Sequence, residues 1–303
     1  MTHTDKKQGR VDIHIDRYDS VMEFAHAIAD APRTEIFVKN LMMASRTGGA
    51  DFTMTQSWEE AQGLLLNGYP EGLKAILKAE GTVKGDCSPK RYDDNSYMGY
   101  RPNVQRYLQG LPTSMVRRYD EVKRSQEITI MYDNSACYSV PQEVLARAGK
   151  NLMTLVQYLE ARKCKVNLYV FSGSSSYVDC RVNICIIKIK DARQRLNPLL
   201  ISYPTTHPSF FRRHIFRWIE TNPYCATKDF VDGYGHSIRN FVAFGSKLPK
   251  NMPIQDWLRS VGLMDNHCFY LDCEEVAKAP TLQYIIDMLH YTDYVIDGNN
   301  LKF

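Results

Sequence analysis

The sequence has no paired cysteines, no long apolar run and no glycine-rich phosphate-binding motif, and each absence excludes a class of protein. Its eight cysteines include no C-x-x-C pair, so neither a zinc ribbon nor a dithiol redox motif is predicted. No stretch approaches the roughly 20 apolar residues that a bilayer-spanning helix needs. Dinucleotide binding, P-loop chemistry and serine hydrolysis are disfavoured because G-x-G-x-x-G, the P-loop lysine motif and G-x-S-x-G are all missing.

The charge balance gives no strong indication of a partner. The formal net charge is +4 at pH 7, well short of the basic stripe expected of a dedicated nucleic-acid binder. Tyrosines and basic residues alternate in KRYDDNSYMGYRP, but Asp93 and Asp94 in its middle disfavour stacking on single-stranded nucleic acid. The polar start MTHTDKKQGR lacks the apolar core of a secretory signal, so we expect a cytoplasmic protein without a membrane contact.

The clearest pattern lies in residues 127–178. EITIMYD alternates apolar and polar residues and predicts a buried strand that ends in a polar turn at Asp133. Pro141 stands where the first turn of a helix tolerates proline, and apolar residues then recur at helical spacing. VNLYVFSGSSS predicts a second strand that closes on a turn at 173–176. Such a strand, helix and strand form a crossover unit, whose ligands sit beyond the carboxyl ends of the strands.

Helices and strands alternate over the rest of the second half. CRVNICIIKIKD and NHCFYLD predict two more strands, and PLLISYP predicts a shorter one that ends at Thr205 and Thr206. FFRRHIFRWIETN, PIQDWLRSVGL and LQYIIDMLHYTD have helical spacing, and YVIDG indicates an edge strand. We therefore predict an α/β, Rossmann-like domain over residues 125–303, with a mostly parallel sheet covered by helices on both faces.

Residues 1–124 are predicted to form a mainly helical N-terminal extension that packs on this domain. Asp19 or Ser20 is predicted to cap a first helix, Ser57 opens a capping box with Glu60, and Pro70 begins a further helix. The segment 81–100 is rich in Gly, Asp, Lys, Ser and Asn, which is typical of a loop or linker.

The turn after the first strand of the main domain resembles the DxSxS motif of the von Willebrand factor A-like fold. Asp133 and Ser135 match the first two motif positions, whereas Cys137 stands at the third and Ser139 lies two residues further. A thiol is a poor ligand for a hard cation, so the motif is incomplete. The resemblance covers about residues 125–297 by the order of its elements.

The resemblance implies a metal-ion-dependent adhesion site in which oxygen ligands hold Mg²⁺. The implied ligands are Asp133, Ser135, either Thr205 or Thr206, and Asp272, with Cys137, Ser139 and His207 as further candidates. An interaction or scaffold module is thereby implied, in which the cation bridges to a carboxylate of a protein partner.

The front region carries a second, weaker resemblance. W-x-x-A at Trp58, GYPEG at 68–72 and NVQRYLQGLPTSM at 103–115 are similar to the leader region of uncharacterised phage and mobile-element proteins with a degenerate A-like domain. This implies action in the cytoplasm of a host cell. A homo-oligomer is expected if the domain is a scaffold whose metal site has decayed, which Cys137 at the third motif position indicates.

Two alternatives use the same residues. A metal-dependent enzyme acting on nucleotides or nucleic acid would combine the acidic cluster with His207 or His214. Alternatively, Asp133 and Ser135 form only a capping turn, and the domain is a scaffold with a decayed site. Arg212 and the neighbouring Arg213 are predicted to lie on a solvated helix face.

Overall fold

The computed structural model describes residues 1–39, 44–77, 90–120, 127–135, 140–162, 164–176, 179–226, 234, 238, 252–265 and 267–290. Within these residues the strands are β1 (Thr2–Gln8), β2 (Val11–Tyr18), β3 (Lys90–Ser96), β4 (Arg101–Pro102), β5 (Met115–Asp120), β6 (Glu127–Asp133), β7 (Lys165–Ser176), β8 (Arg181–Lys190) and β9 (Cys268–Asp272).

The helices alternate with these strands in the second half of the chain. They are α1 (Val21–Ala29), α2 (Glu35–Lys39), α3 (Ala44–Thr47), α4 (Ala50–Thr53), α5 (Trp58–Asn67), α6 (Pro70–Leu77), α7 (Val104–Leu108), α8 (Gln142–Ala161), α9 (Pro198–Thr206), α10 (Phe216–Thr221), α11 (Ile254–Ser260), α12 (Cys273–Lys278) and α13 (Leu282–His290). A π-helical segment, Phe210–Ile215, leads directly into α10, and a 3₁₀ turn, Pro223–Cys225, follows it.

Six strands form the main sheet in the order β1-β2-β8-β7-β6-β9. Strand β6 pairs in parallel with both β7 and β9, and β2 pairs in parallel with β8. The hairpins β1-β2 and β7-β8 are antiparallel. The prediction of an α/β protein with a mostly parallel core is therefore confirmed, although the antiparallel hairpin β7-β8 lies in the middle of the sheet and the hairpin β1-β2 at one edge.

Buried apolar side chains cover both faces of this sheet. On one face, Ile130 and Tyr132 pack under α8, α12 and α13, while Tyr18 and Ile187 pack under α1, α9 and α10. On the other face, the partners include Met131, Phe171, Ile184 and Tyr270, packed against Trp257 of α11. This division follows from the period of two along a strand, which sends successive side chains to opposite faces.

Local signals explain where several helices begin. The Ser20 hydroxyl accepts a hydrogen bond from the Glu23 amide, and the Ser57 hydroxyl accepts one from the Glu60 amide, each at 3.1 Å. Such side-chain acceptors satisfy amides that have no partner in the first turn of a helix. The predicted starts of α1 and α5 are confirmed.

The prediction of a mainly helical N-terminal segment needs correction. Strands β1 and β2 lie in this segment and extend the main sheet next to β8. Strands β3, β5 and β4 form a separate three-stranded sheet in that order. The helices α5 and α6 do pack on α9. Long-range pairing places β1 in the sheet, and a local pattern of polar residues such as THTDKKQ gives little sign of it.

Three further predictions differ from the structure. PLLISYP is helix α9 rather than a strand, and its start is capped by Asn197, whose side-chain oxygen accepts from the Leu200 amide. The predicted turn at 173–176 is the end of β7, paired with β8. The predicted linker at 81–100 contains β3, while its residues 81–89 lie outside the described residues, as does YVIDG. None of the described helices has the length and apolarity needed to cross a membrane.

Candidate functional site

Two aspartates face each other where parallel strands end. Asp133 is the last residue of β6 and Asp272 the last of β9, and they are register partners. Both are almost completely buried, with 2% and 4% of their surface exposed. Because parallel neighbours end at the same edge of a sheet, two loops of distant sequence meet here. The edge can thus supply hard oxygen ligands.

The Asp133 carboxylate is held by two neutral donors. Its Oδ2 accepts from the Tyr270 hydroxyl at 2.5 Å, and its Oδ1 accepts from the Ser135 amide at 2.8 Å. Burial, together with the nearby charge of Asp272, raises the pKa of Asp133 to about 6. No described ion pair includes Asp133. Among the described residues, the negative charge of Asp133 is therefore stabilised by hydrogen bonds alone.

Asp272 also has a structural role. Its Oδ1 accepts from the amides of Glu274 and Glu275, at 3.0 and 3.1 Å, and so caps α12. A carboxylate at a helix N-terminus is stabilised by the unpaired amides of the first turn. Asp272 is thus the N-cap of α12.

The Ser135 hydroxyl lies beside this acidic pair. Its Oγ is buried and has no hydrogen-bond partner among the described residues. A buried hydroxyl without a partner costs free energy, on the order of 1–3 kcal/mol. Cys137 and Ser139, at the remaining motif positions, lie outside the described residues.

The two threonines lie at the end of α9, next to the end of β6. The Tyr132 hydroxyl donates to the carbonyl of Thr205 at 3.2 Å. The hydroxyls of Thr205 and Thr206 donate to carbonyls one turn earlier in α9, at 2.8 and 2.7 Å. A Cβ at Gly149 of α8 would lie 2.3 Å from the Thr206 methyl carbon, so glycine permits this close approach. The carbonyl of Thr205 therefore lies next to the end of β6, while the hydroxyls of Thr205 and Thr206 form hydrogen bonds within α9.

The histidines considered for catalysis are packed in the core. The Nδ1 of His207 accepts from the Ser209 amide at 3.1 Å. Burial lowers the pKa of His207 to about 4 and that of His214 to about 3. Both rings are therefore neutral at pH 7.

Arg212 and Arg213 are buried, which corrects the prediction of a solvated face. The Arg213 guanidinium donates to the Thr55 hydroxyl at 2.6 Å and to the Thr55 and Ser45 carbonyls at 2.9 and 3.1 Å. Arg212 donates to the Phe52 carbonyl. These arginines hold the segment 44–55 against the π-helical segment and are occupied as donors.

A second polar cluster was not predicted from the sequence. Ligand atoms of His3, His14 and Asp16 all lie within 4.8 Å of one another. The signal for part of it is the alternation in VDIHIDRY, which puts His14 and Asp16 on the same face of one strand. His3 lies in a polar edge strand and becomes a neighbour only through the pairing of β1 with β2.

The fold and these clusters describe a mixed α/β protein with one polar cluster at the carboxyl ends of β6 and β9 and another on the hairpin β1-β2. A family described as "Domain of unknown function (DUF7192)" matches residues 5–276. The chain belongs to this family. No curated protein and no solved structure matches the chain.

Proposed function

We propose that the chain is a non-enzymatic protein-interaction module of the von Willebrand A-like kind. In this proposal the carboxyl ends of β6 and β9 hold Mg²⁺, and the cation binds a carboxylate of a protein partner. The observation that carries the proposal is the buried register pair of Asp133 and Asp272.

Electrostatics favour a cation at this pair. Two carboxylates at adjacent strand ends repel each other, and burial increases the cost of each charge. The raised pKa of Asp133 reflects both effects. A divalent cation would offset the repulsion, and Mg²⁺ prefers carboxylate and hydroxyl oxygens with several waters retained.

The end of α9 is the proposed third contributor. A hydroxyl that donates to a carbonyl keeps lone pairs that can face a cation, so the bonds of Thr205 and Thr206 to their own helix do not remove them as ligands. Cys137 at the third motif position makes the proposed site partial, with Ser139 and His207 as the remaining candidates.

The segments that connect the strands of the three-stranded sheet carry exposed apolar side chains that a partner can bind. Tyr97 and Met98, between β3 and β4, are 73% and 79% exposed, and Tyr107 and Leu108 of α7 are 69% and 78% exposed. Exposed apolar side chains are typical of protein interaction sites where they form one patch. In the proposal, this surface binds the partner protein in the cytoplasm of a host cell, as expected for a phage-type protein.

The alternative, a metal-dependent enzyme acting on nucleotides or nucleic acid, has less support. Its acid–base groups were His207 and His214, and burial keeps both neutral at pH 7. A neutral buried imidazole is a poor general acid at this pH.

Calorimetric titration with Mg²⁺ tests the proposal. We expect the wild type to bind one Mg²⁺ and Asp133→Asn to bind at least about tenfold more weakly, a loss of about 1.4 kcal/mol. Asp287→Asn, on the exposed face of α13, is the matched control and should bind as the wild type does. Equal binding by the wild type and Asp133→Asn would refute the metal premise.

The motif alignment has its own test. Cys137→Ser completes DxSxS and should tighten Mg²⁺ binding, because a hydroxyl is a harder ligand than a thiol. Unchanged affinity would contradict the alignment. A hydrolysis screen on nucleotides and single-stranded DNA completes the set: turnover that Asp133→Asn abolishes would favour the enzyme over the interaction module.

A further inference from the structure

We propose that His3, His14 and Asp16 form a second metal site, which binds a transition-metal dication such as Zn²⁺. This site is independent of the proposed Mg²⁺ edge. It lies on the hairpin β1-β2, and its ligands are two imidazole nitrogens and one carboxylate oxygen.

The three ligand atoms already converge. The Oδ1 of Asp16 lies 2.5 Å from the Nδ1 of His3 and 2.9 Å from the Nε2 of His14. Bonds of about 2.0–2.1 Å around a tetrahedral zinc separate neighbouring ligand atoms by about 3.3 Å. These two separations therefore need to open by less than about 1 Å, and the two nitrogens lie within 4.8 Å of each other. His3 can provide this movement because its side chain is 55% exposed.

Outer hydrogen bonds fix the orientation of two ligands. The Nδ1 of His14 lies 2.6 Å from a carboxylate oxygen of Asp5, which leaves the Nε2 directed at Asp16. The Oδ2 of Asp16 accepts from the indole of Trp218 at 2.8 Å and from the amide of Asn222 at 2.7 Å. A metal-bound histidine usually has such a carboxylate on its other nitrogen, and ligating carboxylates are held in the same way.

An adjacent cavity provides an independent indication of a ligand. A cavity of about 340 Å³ is lined by His14, Asn183 and Tyr224, among others. Asn183 is the register partner of His14 and is 1% exposed, yet neither its amide nitrogen nor its oxygen has a partner among the described residues. Buried amides are normally satisfied by protein or by a bound polar molecule. Three protein ligands leave a coordination position that a polar molecule in this cavity can take.

The donor set selects the metal class. Imidazole nitrogens suit zinc and other late first-row dications, whereas Mg²⁺ and Ca²⁺ prefer oxygen ligands only. The ring of Tyr224 stacks on His14 at 3.8 Å between centroids, which shields one side of the site from solvent. Zn²⁺ is therefore the appropriate probe, and Co²⁺ is its spectroscopic substitute.

Equilibrium dialysis against Zn²⁺, with excess Mg²⁺ to occupy the Asp133 edge, tests this proposal. His3→Gln is the main variant because its exposed ring can be replaced without disturbing the core, whereas His14→Gln and Asp16→Ala can fail to fold. Asp5→Asn tests the outer contact, and His26→Gln, an exposed histidine of α1, is the matched control. Circular dichroism confirms that each variant is folded.

We expect the wild type and His26→Gln to bind one Zn²⁺, and His3→Gln to bind at least a hundredfold more weakly. Asp5→Asn should bind about ten- to a hundredfold more weakly, the usual effect of losing an outer contact. Bound Co²⁺ should show visible absorption bands that His3→Gln lacks. The proposal is overturned if the wild type retains no zinc, or if His3→Gln binds zinc as tightly as the wild type. In either case the cluster is an ion-pair network only.

Discussion

The sheet has two acidic centres, one around Asp133 and one around Asp16. The two aspartates are equally buried, but their pKa values are shifted in opposite directions. Each aspartate is 2% exposed. For Asp133, burial and the charge of Asp272 raise the pKa to about 6. For Asp16, burial also acts to raise the pKa, but hydrogen bonds from His14 and Trp218 outweigh it and lower the pKa. At equal burial, the hydrogen-bond and charge partners of a carboxylate therefore decide whether its pKa is raised or lowered.

The two centres also lie in neighbouring rows of the sheet. A row of register partners crosses it from Asp133 through Phe171 and Ile186 to Arg17, the residue after Asp16. Strands β7 and β8 lie between the two centres. Because side chains alternate along a strand, Asp133 shares the face of Phe171 while Asp16 shares that of Cys185. Neighbouring rows of the sheet thus carry a pair of oxygen ligands on one face, where β6 and β9 end, and a mixed nitrogen and oxygen set on the other face, on the hairpin β1-β2.

The largest effect expected from this comparison is that of Asp16→Ala. The change leaves the ring of His14 and the donors of Trp218 and Asn222 without their buried acceptor. Removing one member of a buried charge network typically costs about 3–5 kcal/mol. Urea unfolding at pH 7 measures the loss. Asp12→Ala, an exposed aspartate of the same strand, is the control and should change stability by less than about 0.5 kcal/mol.

If Asp16→Ala lowers the free energy of unfolding no more than Asp12→Ala does, the network around His14 contributes little to stability. The Asp16 carboxylate would then not be stabilised more strongly than that of Asp133. Since the pKa of His14 is raised, its contribution should be fully present below about pH 6.5 and be lost as the pH rises through the folded pKa. The difference between wild type and variant should therefore shrink in alkaline solution.

The second effect has the opposite sign. With a chelator present, Asp133→Asn should stabilise the protein by up to about 3 kcal/mol at pH 7, because the raised pKa of about 6 means that folding disfavours the charged form. The wild type should lose this stability as the pH rises from about 4 to about 6, and the variant should not. Urea unfolding over pH 4–8 measures both slopes.

Asp272→Asn is the matched comparison for this experiment. Asparagine keeps the cap on α12 and removes the charge that helps to raise the pKa of Asp133. Asp272→Asn should therefore show part of the stabilisation expected for Asp133→Asn. Added Mg²⁺ should stabilise the wild type and neither of the two variants. Destabilisation by Asp133→Asn at pH 7 without metal would show that the Asp133 charge is already compensated.

The smallest effect concerns the anchoring of β1. The Lys6 ammonium donates to the Val261 carbonyl at 2.6 Å and so ties β1 to the end of α11. Lys6→Ala should cost about 1 kcal/mol, loosen β1 and weaken Zn²⁺ binding at His3, while Mg²⁺ binding at Asp133 stays unchanged. Hydrogen exchange of the β1 amides and the two titrations measure this, with the exposed Lys7→Ala as control. Equal loss at both sites would mean that the centres are not independent.

Much of the Asp133 edge could be predicted from the sequence because its determinants are local. The alternation in EITIMYD and the helical spacing that follows it specify β6 and α8. Once β6 and β9 are known to be parallel, the meeting of Asp133 and Asp272 follows from topology.

The rest depended on contacts between distant residues. A short apolar run such as PLLISYP fits a strand or a helix, and the close approach at Gly149 is visible only in the fold. His3 and Asp16 are brought together by the pairing of β1 with β2. The polar sequence of β1 does not predict this pairing. The alternation of VDIHIDRY was the available signal, and it identifies β2 but not its neighbour.

The pairing of β2 with β8 also has a consequence for synthesis on the ribosome. Tyr18 pairs with Ile187, roughly 170 residues later in the chain, and elongation proceeds at about 5–20 residues per second. The first hairpin must therefore wait for about ten seconds or more before its neighbouring strand emerges. During that interval its open edge is exposed to other nascent chains, so a chaperone that shields it should raise the yield of folded protein more than one that acts after release.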